Sequence, residues 1–245
     1  ADIIFILDAS ASMQAADVWS NDRFYQAKTI IARFVDNYMK DGRVRLIAFG
    51  NRAVVRCPLT DDIQAFKTIV SELDCVGFAF QGTDLSQPLT TMFNYIERLR
   101  NIQTYNSAVK PAVVLISDGE SHNNDFTGIL SRVKNAGIVV YTLGIGTTAG
   151  APIILRDGTR IADSTGNLVI SRKNEISLKN IAAATGGLYY SIDSRAAIDS
   201  VCNSLVTQIN SSSVGNFEKK IIYYDDIYAY FACAALLLIL IESML

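Results

Sequence analysis

The sequence predicts a doubly wound α/β domain on a mostly parallel sheet with one antiparallel edge strand, and three observations lead there. Short β-branched apolar runs alternate with amphipathic stretches along most of the chain. The runs are apolar on both faces, as expected of strands covered by helices on either side. Of the 245 residues 50% are hydrophobic, enough for one large core with a short appendage and a squeeze for two domains.

Taken in order, residues 3–7 read as the first strand and 23–39 as the first helix. Residues 44–49 and 53–56 are separated by Gly50-Asn51, a hairpin signal that supplies the antiparallel edge. Helices follow at 62–73 and 85–99, a strand at 113–116, a helix at 126–135 and a strand at 139–145. Residues 146–172 break the alternation, with turn signals at Asp157-Gly158 and Thr165-Gly166-Asn167, and read as a β-hairpin insertion on the rim. A helix at 176–185, a strand at 188–191 and a helix at 196–209 complete a domain assigned to residues 1–212.

A polar linker is expected at 213–226, and a transmembrane helix at 227–245. Tyr228 to Ile241 holds no charge, and Tyr223, Tyr224, Tyr228 and Tyr230 provide the aromatic flank expected at a membrane interface. Lys219 and Lys220 precede this helix with nothing basic after it, which by the positive-inside tendency places the domain in the cytoplasm. The chain opens at Ala1 already inside a strand pattern, so it reads as a fragment or a processed form.

A net charge of -2 and the lack of basic blocks argue against nucleic acid as a partner. Cys57, Cys75, Cys202 and Cys233 are scattered and too few for a disulfide scaffold.

In a doubly wound sheet the ligand site lies at the carboxyl ends of the strands. The first strand ends in Asp8-Ala9-Ser10-Ala11-Ser12, which places one carboxylate and two hydroxyls on a tight loop. The 113–116 strand runs into Ser117-Asp118-Gly119, and Gln81-Gly82-Thr83-Asp84 leads into a helix. Hard cations take oxygen ligands of this kind, and Mg²⁺ keeps waters that an incoming ligand can replace. Taken singly, the same serines also read as hydroxyls that satisfy turn backbone, and Asp118-Gly119 as an ordinary turn.

Together, Asp8-x-Ser10-x-Ser12, Thr83 and Asp118 resemble the D-x-S-x-S…T…D metal-ion-dependent adhesion site of von Willebrand factor type A (VWA) domains at all five positions. The resemblance implies direct ligation by Ser10 and Ser12, and action through bound waters for Asp8 and Asp118. Thr83 would ligate directly or through water. It also implies a bound Mg²⁺, with Mn²⁺ or Ca²⁺ as alternatives, and an open position for an Asp or Glu of another protein.

The likeness narrows further. Cys57-Pro58-Leu59-Thr60-x-Asp62, Ser117-Asp118-Gly119-Glu120, Asp163-x-x-Gly166-Asn167-x-Val169-Ile170-Ser171-Arg172 and Ile181-Ala182-x-Ala184-Thr185-Gly186-Gly187-x-Tyr189-Tyr190 are similar to BatB-type proteins of the bacterial aerotolerance (Bat) group. That resemblance implies a non-enzymatic interaction module anchored in the bacterial inner membrane, with its domain on the periplasmic side. It further implies work with a MoxR-type AAA+ ATPase and other Bat membrane proteins.

A metal-dependent hydrolase using the same cation is the competing function. His122, the only histidine, follows Glu120, but no nucleophile is marked beside it. One histidine also excludes multi-histidine zinc motifs. Gly144-x-Gly146-x-x-x-Gly150 lacks dinucleotide-binding spacing. Glu120 and Asp84 read equally as residues tuning the metal and as solvated loop carboxylates.

Overall fold

The computed structural model describes residues 2–18, 21–39, 42–75, 82–101, 111–122, 125–155 and 157–212. In chain order β1 (Asp2–Asp8) leads through a 3-10 turn (Ala11–Gln14) to α1 (Arg23–Tyr38), β2 (Arg43–Phe49), β3 (Ala53–Thr60), α2 (Ile63–Glu72) and α3 (Ser86–Arg100). Then come β4 (Ala112–Ser117), α4 (Thr127–Asn135), β5 (Val140–Ile145), β6 (Ala151–Pro152), β7 (Ile170–Ser171), α5 (Glu175–Thr185), β8 (Tyr189–Ile192) and α6 (Arg195–Ser212).

Six strands form one sheet in the order β3-β2-β1-β4-β5-β8, with every neighbouring pair parallel except β2 and β3. This is the predicted mixed sheet with one antiparallel edge. β3 runs on to Thr60, four residues beyond the predicted strand, because an edge strand tolerates Pro58 where a central one would not.

Two cores lie on opposite faces of the sheet. Ile3, Phe5 and Leu7 of β1 pack with Phe34 of α1, Phe66 of α2 and Leu205 of α6. Ile4 and Ile6 face the other way, toward Leu89 and Met92 of α3, Val133 of α4 and Leu178 of α5. Alternation within a strand that is apolar throughout is what lets one strand serve both cores. Helix starts are fixed locally: Asp22 accepts from the Tyr25 N–H at 2.6 Å, and Asp62 accepts from that of Ala65 at 2.9 Å.

The chain moves from β1 outward to β2, then returns to β4 on the other side of β1. Strand order therefore reverses between β1 and β4, which opens a crevice at their carboxyl ends.

The insertion holds two turns rather than a single hairpin. β6 and β7 pair antiparallel at its base. Between them, Leu155 and Thr159 close one turn at 2.8 Å, and Asp163 and Asn167 close a second at 2.8 Å. Each turn signal thus closes its own loop, since Asp157 and Asp163 both accept backbone N–H groups two residues on.

Among the described residues no helix is long and apolar enough to cross a membrane. The predicted linker at 213–226 and membrane helix at 227–245 lie outside the described residues.

Phe5 is fully buried, with the Phe34 ring edge-on at 5.7 Å and the Phe66 ring at 6.0 Å. Phe5→Ala should cost about 3–5 kcal/mol of unfolding free energy. Urea denaturation checks this as a lower midpoint at unchanged slope.

Candidate metal centre

The crevice brings together four of the predicted residues, Asp8, Ser10, Ser12 and Asp118. Asp8 ends β1, Ser10 precedes the 3-10 turn, Ser12 lies within it, and Asp118 follows β4 directly. Thr83 lies in the loop before α3. All five are at least nine-tenths buried.

Because Leu7 pairs with Ile116, Ser117 comes level with Asp8. Its hydroxyl donates to Asp8 Oδ2 at 2.6 Å, while the Ser10 N–H donates to Asp8 Oδ1 at 2.9 Å. Both carboxylate oxygens of Asp8 therefore already have protein donors. The hydroxyls of Ser10 and Ser12 meet at 3.0 Å.

Asp118 is held in a similar way. Its Oδ1 accepts from the Glu120 N–H at 3.0 Å, and its Oδ2 from Arg23 Nη1 at 2.8 Å. Burial raises the Asp118 pKa above the ordinary carboxylate value, opposed by Arg23 and by the Ser12 hydroxyl. Burial, and then the charge of Asp118, push the Asp8 pKa up to about 7 against the hydrogen bonds from Ser10 and Ser117. Two carboxylates thus share a water-poor crevice, a pairing that nearby positive charge relieves.

Thr83 stands against the loop that follows Asp118, its backbone paired with His122. The His122 N–H donates to Thr83 O at 3.0 Å, and the Thr83 N–H donates to His122 Nδ1 at 3.3 Å. His122 is thus a loop partner of the Thr83 segment. Asp84 accepts the Ser86 N–H at 2.9 Å and so shapes the start of α3. Glu120 accepts the Arg172 N–H at 2.8 Å, and its pKa is raised by burial and then by Asp118.

Among the described residues no group of three or more His, Cys, Asp or Glu side chains is arranged to hold a metal. The set at this edge is instead two carboxylates with the hydroxyls of Ser10 and Ser12. That chemistry fits a hard, largely hydrated cation and not a thiolate or imidazole metal.

Sequence reasoning missed Arg23, Asp17 and Ser171. Arg23 is fully buried, forks onto both oxygens of Asp17 at 2.8 and 2.6 Å, and reaches Ser171 Oγ at 2.6 Å. A signal was available: Arg23 is in helical step with Ala27, Ile30 and Phe34, on the apolar stripe of α1. A basic residue on a buried stripe implies a buried acidic partner.

Residues 3–120 match the family model of the von Willebrand factor type A domain. An uncharacterized protein of Borreliella burgdorferi is 23% identical over 248 residues, covering 98% of this chain and 67% of its own length. The chain therefore spans about two thirds of that relative. Among solved structures, the conserved hypothetical protein BatB from Bacteroides thetaiotaomicron aligns at a TM-score of 0.72 with 27% identity, covering 86% of this chain and 98% of that one. An aerotolerance-related membrane protein from Bacteroides fragilis aligns at 0.72 with 28% identity and the same coverage.

The raised Asp8 pKa fixes the sign of a pH effect. A folded-state carboxyl titrating near 7, against 3.8 in the unfolded chain, binds more protons when folded. Its contribution to stability is therefore lost as pH rises through that window. Asp8→Asn keeps an acceptor for the Ser10 N–H and removes the charge. In EDTA at pH 7.5 it should raise Tm by about 3–6 °C, for roughly 1–2 kcal/mol. The gain should shrink toward pH 4.5 in paired calorimetric scans, and a gain independent of pH would count against the charge explanation.

Proposed function

We propose, for a chain that carries a von Willebrand factor type A domain and resembles the BatB-type aerotolerance proteins, a metal-ion-dependent protein-interaction module. In this reading Asp8, Ser10, Ser12, Thr83 and Asp118 hold one divalent cation, Mg²⁺ in the first place with Mn²⁺ or Ca²⁺ as alternatives. The cation in turn binds an Asp or Glu carboxylate of a partner protein.

The observation that supports this best is the pair of buried carboxylates beside the Ser10 and Ser12 hydroxyls at the strand-order reversal. Asp8 and Asp118 each use both oxygens in protein hydrogen bonds. They are therefore suited to act through waters, leaving the serine hydroxyls as neutral direct ligands. A cation with few anionic ligands keeps enough positive charge to attract an external carboxylate.

Binding is favoured over hydrolysis because His122 has its Nδ1 engaged with the Thr83 N–H, away from any base role at the crevice. The proposal extends to the whole protein on the strength of the resemblance. Residues 227–245 would anchor it in the bacterial inner membrane with the domain on the periplasmic side. Its partners would be other Bat membrane proteins and a MoxR-type AAA+ ATPase.

Isothermal titration of Mg²⁺ and Mn²⁺ into the full chain in detergent tests the core of this reading. The parent should bind one cation, and Ser10→Ala and Thr83→Ala should each weaken binding by about tenfold or more, the effect of losing an interaction of roughly 1.4 kcal/mol. Absence of binding by the folded parent, or binding by both variants as tight as the parent's, would reject the assignment.

A further inference from the structure

Both feet of the insertion stand on the loops that bear the candidate cation ligands. At the first foot, Thr147 donates from its N–H at 2.9 Å and its Oγ1 at 3.0 Å to Asp17 Oδ2. At the second, the Arg172 N–H donates to Glu120, and the Asn174 N–H donates to Asp118 O at 2.7 Å. The Lys173 N–H closes the feet together on Thr147 O at 3.0 Å.

Arg23 lies between these feet. Its Nε and Nη2 hold Asp17, and its Nη2 also donates to Ser171 O at 3.1 Å. Its Nη1 donates both to Asp118 Oδ2 at 2.8 Å and to Ser171 Oγ at 2.6 Å. Gly146 keeps the slot open, since a Cβ there would sit 2.6 Å from Arg23 Nε. A guanidinium is a rigid plane with its donors in a fixed fork, so it cannot swing toward one partner without withdrawing from another.

We infer that Arg23 is a positioning residue that couples the 146–172 insertion to the cation site. One nitrogen both orients the Asp118 carboxylate and seats Ser171, so a change in what Asp118 binds reaches the insertion as a change in how firmly it is seated. The inference rests on the proposed function only for the cation as the driving event; the clamp itself is independent of it. Ile154, Leu168 and Ile170 of the insertion are exposed, so a change in seating moves apolar side chains at the surface.

Hydrogen–deuterium exchange on the full chain tests this at the Ile153, Ile161 and Val169 amides, all hydrogen-bonded within the insertion. In EDTA, Asp118→Asn should quicken their exchange about tenfold, as expected when a charged hydrogen bond is weakened and local opening becomes easier. The Leu130 amide of α4, bonded to Phe126 O, should stay at its parent rate and so report that the variant is folded. Arg23→Lys, which keeps a positive charge and loses the fork, should behave as Asp118→Asn does.

With Mn²⁺ added, the parent insertion should change its exchange rate by a similar factor, and Arg23→Lys should lose that response. Parent rates at the insertion amides in Asp118→Asn would overturn the coupling. So would bound Mn²⁺, seen by electron paramagnetic resonance, that leaves them at metal-free rates. Failure of Mn²⁺ to bind the parent would overturn the cation reading instead, and the EDTA comparison alone would then decide the coupling.

Discussion

The site depends on one constraint: parallel strands β1 and β4 leave the sheet side by side and bring two carboxylates into one buried crevice. The pairing of Leu7 with Ile116 sets Ser117 beside Asp8 and puts Asp118 one residue beyond. Backbone register, not side-chain preference, is what places Asp8 near Asp118. Burying like charges together is costly, and the cost appears as an Asp8 carboxyl pushed up to about 7. The fold can hold this arrangement because strongly apolar packing on both sheet faces surrounds it.

Relief comes first from within. Arg23 is wholly buried, yet its charge stays in place because Asp17 and Asp118 both accept from it. Asp17 itself is penalised by burial, and its hydrogen bonds from Arg23 and Thr147 bring its pKa below the usual value. One guanidinium against Asp8, Asp17 and Asp118 leaves the cluster negative overall when all three are ionised. A buried network of this kind gains little net stability from its ion pairs; what it fixes is geometry. Here the fixed geometry is that of Asp118 and of both feet of the insertion.

Much of this was legible in the sequence because it is local. Asp8-x-Ser10-x-Ser12 and Ser117-Asp118-Gly119 each follow a run of residues apolar on both faces, so their place at the sheet edge follows from strand length alone. The Gly50-Asn51 turn announced the antiparallel edge in the same way. What was not legible is contact between residues far apart in sequence: Arg23 with Ser171, or Thr147 with Asp17. The two-turn path of the insertion was partly written in its Asp-Gly and Thr-Gly-Asn signals, but the short stretches between them are too brief for periodicity to assign. The boundaries drifted where context overrides propensity, as in the extension of β3 through Pro58 and of α6 to Ser212.

The charge arrangement also bears on what the proposed cation would be able to do. If Asp8 and Asp118 were free to ligate directly, two anionic oxygens would neutralise a divalent ion and leave it little pull on a third carboxylate. Instead, the Asp8 oxygens face Ser10 and Ser117, and those of Asp118 face Glu120 and Arg23. Their negative field reaches the crevice, and each of their oxygens already accepts one protein hydrogen bond. The neutral hydroxyls of Ser10 and Ser12 are the oxygens left in closest mutual approach. A cation seated there would be held by field and hydroxyl contact while remaining electron-poor, the condition under which an external Asp or Glu binds strongly. Arg23 strengthens that condition, because the positive charge it brings to Asp118 is charge the cation need not neutralise.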